Sequence, residues 1–185
     1  MDKSVEQIYD DVRKRFLGLE IDISEPLYPV EYDPIRRYCH MVDDDNPLYL
    51  NEEYAKKTSY GGVICPPLAI EYFATHGAWP PPYCIDSLTP ILQTIPTPGD
   101  RNINLSTEWE FFKPVRVGDW LKAKIRILDI YIKPIRLDPQ AFWILTETTI
   151  TNQEHATVAT MRNLILRHRS QEQVSINRSH CRNGA

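Results

Sequence analysis

Cysteine is sparse and scattered in this 185-residue chain: Cys39, Cys65, Cys84 and Cys181 form no C-x-x-C pair. That distribution argues against a disulfide framework and against a zinc site, so no metal is expected. No apolar run approaches the ~18–20 residues needed to span a bilayer, and no membrane partner is expected. Positive charge is not in excess either: 21 Lys and Arg stand against 25 Asp and Glu, a formal net charge of −4. A weakly acidic chain lacks the electrostatic footprint of a nucleic-acid binder. Neither G-x-G-x-x-G nor G-x-x-x-x-G-K-[ST] occurs, so no nucleotide cofactor is expected. The opening MDKSVEQIYDDVRKRF is charged throughout and has no secretory apolar stretch. A cytoplasmic location is therefore expected, and the sequons at Asn104 and Asn177 read as chance matches.

What is present is ordinary globular composition, 42% apolar and 25% charged, at a length that suits one domain. Val5, Ile8, Tyr9, Val12 and Phe16 recur at helical spacing, and Gly18 stops the pattern. A short extended stretch over 28–32 follows. Asp33 and Pro34 read as an N-cap with proline at the first helical position, opening a helix over 34–42. The run Asp43-Asp44-Asp45-Asn46-Pro47 should end it, because these side chains bond the local backbone in turns. A second short helix is expected over 52–58. Pro66 and Pro67 can open a helix but not sit inside one. The helix predicted over 68–75 is apolar most of the way round, as a buried helix is. Residues 78–102 carry six of the fifteen prolines and read as a long loop, of the kind that serves as a lid or a partner contact.

From residue 103 the period changes to that of strands: 103–112, 121–132 with a slip near Asp129 as at a bulge, 141–152, a turn at 152–155, and 156–166 pairing back. The polar stretch from Arg167 has no periodicity and would be disordered alone, so the domain is drawn over 1–167 with a tail over 168–185. The fold class is α+β, an antiparallel sheet wrapped around a buried helix. Such a sheet leaves exposed edges, which favours a dimer.

Three neighbouring carboxylates at 43–45 invite a hard cation. However, the calcium loop needs alternating oxygen ligands, a central glycine and a late bidentate glutamate, and none of that spacing occurs. On composition alone the cluster is a solvated, helix-ending turn. The stretch Asp44-Asp45-Asn46-Pro47-Leu48-Tyr49-Leu50-Asn51, followed by Tyr54-Ala55, resembles the signature of MaoC-like hydratases and dehydratases, whose pattern runs Gly-Asp-x-Asn-Pro-Leu-His-x-Asp. Three further blocks extend the likeness: 60–67 (YGGVICPP), 110–119 (EFFKPVRVGD), and 146–153 with 158–160. The resemblance covers about residues 5–167 and is closest to the N-terminal-type MaoC, or FAS1-like dehydratase, branch. It implies a single hot-dog domain acting on acyl thioesters, with coenzyme A or an acyl carrier as part of the substrate and no further cofactor. It also implies a homodimer, or a heterodimer or heterotetramer with a second MaoC-like subunit.

In that family an aspartate and a histidine five positions on act together on water, adding it to an enoyl thioester or removing it from a 3-hydroxyacyl thioester. A carboxylate and an imidazole are complementary acid and base near neutral pH. Carried over, the aspartate is Asp44 and the histidine position is Tyr49. A phenol titrates near 10, so it is a poor base at pH 7 but still donates a hydrogen bond. Ungapped counting places Pro67, which has no N–H, near the family's oxyanion donor, and a one-residue gap moves that role to Leu68. Asn46 would shape the site, and Cys65, Pro67 and Leu68 would lie along the substrate. These departures point to the non-catalytic, tunnel-shaping subunit of a heteromeric hydratase. The alternatives are a self-sufficient hydratase using Asp44 and Tyr49, a non-catalytic acyl-CoA binding or scaffolding module, and a thioesterase-like enzyme using Glu71. His40 and His76 read first as helix-terminal caps. Arg36, Arg37, Lys56, Lys57, Lys113 and Arg116 are candidates for coenzyme A phosphates.

Overall fold

A computed structural model of the chain describes residues 4–24, 28–75 and 94–175. Helix α1 (Val5–Phe16) starts where Ser4 and Gln7 form a reciprocal capping box, and it buries Val12 and Phe16. The chain leaves it through Gly18, whose φ of 77° a side-chain-bearing residue rarely adopts. Strand β1 (Glu20–Ser24) follows and pairs antiparallel with β3 (Lys122–Ile132). The sequence reading missed β1, since five residues with two apolar positions carry too little periodicity to announce a strand. The stretch predicted to be extended, 28–32, is instead clasped at Val30 by two backbone hydrogen bonds to Gly118 and Asp119.

Helix α2 (Tyr32–Val42) starts two residues earlier than its predicted start and buries Ile35 and Cys39. Its N-cap is Glu31, not Asp33, and no side chain caps it; Asp33 lies inside the first turn and pairs with Arg36 at 2.7 Å and Arg37 at 2.6 Å. The pull of two arginines one turn away outweighs the capping preference of the aspartate. Two short helices follow, α3 (Pro47–Leu50) and α4 (Glu52–Lys56). A single 3-10 turn (Pro67–Ala69) then leads into α5 (Ile70–Thr75).

The sheet has the order β1-β3-β4-β5-β2, with β2 spanning Arg101–Phe111, β4 Phe142–Thr151 and β5 Thr157–His168. All neighbours are antiparallel, and the expected slip in β3 is a register shift between Ile127 and Asp129. Strand β4 alternates strictly between buried and half-buried positions, so its inner face packs on the helices. Two apolar clusters fill that space. One joins α2, α5, β3 and β4 around Ile35, Phe73, Ile125 and Ile150; the other joins α1 to Ile127, Ile130, Phe142, Ile144 and Ile165. This is the hot-dog arrangement. Helix α5 buries Ile70, Phe73 and Ala74 while Tyr72 is about half exposed, so the helix is not buried all round as expected of it.

The expected boundary at 167 falls inside an ordered region. Strand β5 runs through His168, and Arg169 is 3% exposed, paired at 2.6 Å with Asp138, itself 1% exposed. Arg169 also bonds Gln140, which reaches Glu6 of α1, while Arg167 bonds the Ile95 carbonyl. Polarity without periodicity hid this strap, because its side chains are buried through ion pairing rather than apolar contact. Gly99 packs so closely on it that an added Cβ would lie 2.2 Å from the His168 carbonyl carbon. Burial pushes the Asp138 carboxyl upward, but the bonds from the Arg169 side chain and from the backbone N–H groups of Arg169 and Gln140 outweigh it. They hold the group below the ordinary range. Stability from this pair is therefore present above the usual carboxylate pKa and lost as pH falls through the depressed one. Arg169→Met leaves Asp138 buried and unpaired and is expected to cost ~3–5 kcal/mol in denaturant unfolding, with Asp138→Leu in the same chain recovering most of it.

Candidate active site

The site segment is built from the C-terminal end of α2. Asp43 takes the left-handed conformation (φ 57°, ψ 41°), and the Asp44 N–H then donates to the Cys39 carbonyl at 2.9 Å. Asp44 Oδ1 accepts from the Asn46 N–H at 3.0 Å, and Asn46 Oδ1 accepts from the Leu48 N–H at 3.0 Å, capping α3 with Pro47 at its start. Asn51 repeats the device for α4, accepting from the Tyr54 N–H at 3.0 Å. Each Asp or Asn of the motif thus answers a backbone donor that would otherwise be orphaned. The four sequence blocks also meet: Leu48 accepts from the Ile64 N–H, Cys65 donates its N–H to Val115 at 2.7 Å, Ile64 bridges Arg116, and Phe112 donates its N–H to the Val158 carbonyl at 2.9 Å.

Tyr49 is half-buried against the cluster that holds Cys39, Val63 and Cys65. Its phenol is pushed above its ordinary pKa, first by burial and then by the neighbouring Asp44 carboxylate, with Cys39, Cys65 and Tyr60 adding to it. Asp44 and Tyr49 therefore share one electrostatic neighbourhood, as the motif spacing implies. Near neutral pH the phenol stays protonated, so it can donate a hydrogen bond but is no base. Asp44 itself is half-buried. Cys39 and Cys65 are both fully buried thiols; burial raises Cys65 strongly, and it raises Cys39 with help from Asp44. Neither is a thiolate near neutral pH, and the Cys65 thiol donates to the Pro66 carbonyl at 3.4 Å.

Pro67 opens the 3-10 turn and supplies no N–H; the next backbone donor belongs to Leu68. The Leu68 side chain is 56% exposed. Next to it lies an apolar groove of about 460 Å³ between α2 and α5, lined by Asp33, Pro34, Arg37, Tyr38, Met41, Ala69, Tyr72 and Phe73. That volume falls in the range of small-molecule sites, ~300–1,000 Å³. Asp44 and Tyr49 do not line it, but Met41 stands one turn before Asp44. Of the groove residues the sequence singled out Arg37 alone as a binding candidate; the further available signal was the i, i+4 row of Arg37 and Met41 on α2. A second, more polar groove of about 650 Å³ runs along α3 and α4 and is lined by Lys56 and Arg116 among others. Of the six candidate cations, Arg36 and Arg37 pair with Asp33 and Lys56 pairs with Glu52. His40 lies exposed on the last turn of α2, His155 takes φ 60° in the β4–β5 turn, and His76 lies outside the described residues. Glu71 lies half-buried in the first turn of α5. Among the described residues, no group of three or more His, Cys, Asp or Glu is placed to hold a metal.

Asp43 stands where the resembled pattern carries glycine, and its φ shows why. Asp43→Gly is expected to raise stability by up to ~1 kcal/mol in urea unfolding, by relieving the left-handed strain without touching a site contact.

Comparison with known proteins agrees with this geometry. The family model described as "FAS1-like, dehydratase domain region" matches residues 15–161. A UPF0336 protein of Thermobifida fusca is 26% identical over 124 residues, covering 64% of this chain and 72% of that protein. A 3-hydroxybutyryl-CoA dehydratase of Methylorubrum extorquens is 25% identical over 116 residues, covering 62% of this chain and 64% of that one. Among solved structures, a chain of the ChsH1-ChsH2 complex from Mycobacterium tuberculosis superposes with a TM-score of 0.69 at 17% identity, covering 90% of this chain and 96% of that one. The chain belongs to the FAS1-like dehydratase family of MaoC-like hot-dog proteins.

Proposed function

We propose that this chain is an acyl-thioester-handling subunit of the MaoC-like hydratase type, completed by a second MaoC-like subunit that carries the intact aspartate–histidine pair. The observation that carries the reading is the phenol beside Asp44. Hydration needs a base that takes a proton from water as its oxygen attacks C3 of the enoyl thioester, and an acid that returns a proton to C2. Here one carboxylate faces one neutral phenol, so a proton acceptor remains and the imidazole that would cycle the proton at pH 7 is absent. The oxyanion donor expected at the start of the buried helix is narrowed to the Leu68 N–H by Pro67, and losing one such donor typically costs ~10²–10³ in rate.

Other features support a partnered subunit. Strand β2 is an eleven-residue edge strand with Ile103, Leu105 and Phe111 exposed, and Leu68 and Tyr72 are about half exposed on the central helix and its entry. Among the described residues nothing pairs with the outer side of β2, and an edge of that length invites strand addition. The groove between α2 and α5 supplies an apolar wall for an acyl or pantetheine chain. The dehydratase relative is named for a coenzyme A thioester, and the ChsH1-ChsH2 neighbour was solved as a two-protein complex, which supports both the substrate class and the heteromer.

The test is hydration of crotonyl-CoA and longer enoyl-CoAs, read as loss of enoyl absorbance. The chain alone is expected to be at least ~10²-fold slower than the same chain carrying Tyr49→His, the loss typical of one missing acid–base group. Adding Asp44→Asn to the histidine variant should abolish the gain. Substantial hydration by the unmodified chain, lost in Asp44→Asn, would assign the self-sufficient reading instead. Thioester cleavage without hydration would overturn the hydratase type, and Glu71→Gln would then locate the cleaving carboxylate.

A further inference from the structure

Two register rows cross the inner face of the sheet side by side. One is Ile125, Thr148, Met161 and Trp109; the next is Ile127, Thr146, Asn163 and Thr107. Their outer members belong to different clusters: Ile125 and Trp109 to the one that receives Tyr49, Ile127 to the one built on α1. A polar strip therefore runs along the seam between two apolar clusters, from the core out to the exposed edge strand β2.

The strip is incompletely satisfied among the described residues. Thr148 is 1% exposed and its Oγ1 has no hydrogen-bond partner among them; the Asn163 Oδ1 atom is buried and has none there either. Thr146 makes a long bond of 3.4 Å to the Asn163 carbonyl, and Thr107 accepts from Asn104 Nδ2. Buried polar atoms are nearly always paired, and each unpaired one is destabilising. Two of them sit diagonally adjacent on neighbouring strands, a hydroxyl that donates beside an amide oxygen that accepts. One ligand hydroxyl between them would answer both, its oxygen accepting from Thr148 and its proton going to Asn163 Oδ1. Met161, Ile125 and Trp109 share the Thr148 row and are mainly apolar.

We propose that Thr148 and Asn163 form a polar subsite that reads a hydroxyl carried on the acyl chain, away from the thioester end. The substrate class is then a hydroxylated acyl thioester rather than a plain alkyl one. This rests on the acyl-thioester reading above and deepens it.

The test uses the full chain and measures affinity by calorimetry for oct-2-enoyl-CoA and for the same acyl group bearing a hydroxyl at its far end or one or two carbons inward. At least one hydroxylated form is expected to bind about tenfold more tightly than the plain one, the worth of one or two well-placed hydrogen bonds. Thr148→Val, isosteric and without the donor, should bring that ratio close to one while leaving the plain chain's affinity unchanged. Thr148→Ser should keep the preference, and Asn163→Leu should reduce it. Melting curves check that each variant folds. Equal affinity for all forms in the unmodified chain, or a preference that survives Thr148→Val, overturns the subsite; the two groups then serve the fold or a bound water. No binding of any acyl-CoA overturns the acyl-thioester reading itself, and the subsite with it.

Discussion

The site depends on one constraint, the reversal of the chain at Asp43. Once that residue enters the left-handed region, the Asp44 N–H turns back onto Cys39 and the helix ends. The Asp44 carboxylate is then committed to the Asn46 N–H, and Asn46 in turn starts the next helix. Tyr49 comes round beside Asp44 because α3 is a single turn that begins at a fixed place. No long-range contact is needed for this; the segment is wired by bonds between residues two to five apart. Long-range contacts hold it against the sheet instead, through Ile64 on Leu48 and Cys65 on Val115. An anion and a phenol are thereby held together on a half-buried surface whose geometry side-chain motion alone cannot undo.

The sheet contributes rigidity and also division. Its inner face carries two apolar clusters rather than one, with polar side chains at the seam. The cluster under α2 and α5 supports the site; the cluster under α1 is closed from the other end by Arg169 on Asp138 and by Arg167 on Ile95. A buried ion pair with one partner on the β3–β4 connection and the other just past β5 fixes the far end of the sheet without adding apolar surface. Its worth is the large cost of breaking it rather than a large gain from making it.

The legible parts of the molecule are those where local chemistry and the fold agree. Helix α1 shows its apolar spacing and its stop at Gly18, and the later strands show the change of period after residue 103, because both signals are short-range. The slip at Asp129 could be read because the period of β3 breaks there. Strand β1 could not, since Ile21 and Ile23 among charges look like any surface stretch until β3 supplies a partner. The Asp33 cap failed because two arginines one turn on competed for its carboxylate. At the site, Asp44 and Tyr49 were picked out through the motif, and the structure adds that the Asp44 carboxylate acts on the Tyr49 phenol. The role of Asn46 as a helix cap, and the outward turn of Leu68, became visible only with the backbone in place. The groove between α2 and α5 left almost no trace in the sequence, since it is made by two helices some thirty residues apart.

The exchange of an imidazole for a phenol has a consequence set by the sign of the charge beside it. A carboxylate next to a histidine stabilises the imidazolium, raises its pKa and tunes it as a proton carrier. The same carboxylate next to a tyrosine destabilises the phenolate and moves an already high pKa higher, which is the direction found at Tyr49. Burial would pull an imidazole down toward neutrality against the carboxylate, keeping it near the working pH; for the phenol, burial and carboxylate act in the same direction. No adjustment of this pocket that keeps Asp44 makes Tyr49 a base. What the phenol does retain is a protonated hydroxyl within the electrostatic reach of Asp44, and such a group suits the binding and orientation of a polar group. On the reading proposed above, a subunit that holds substrate while its partner moves the proton needs no more than this.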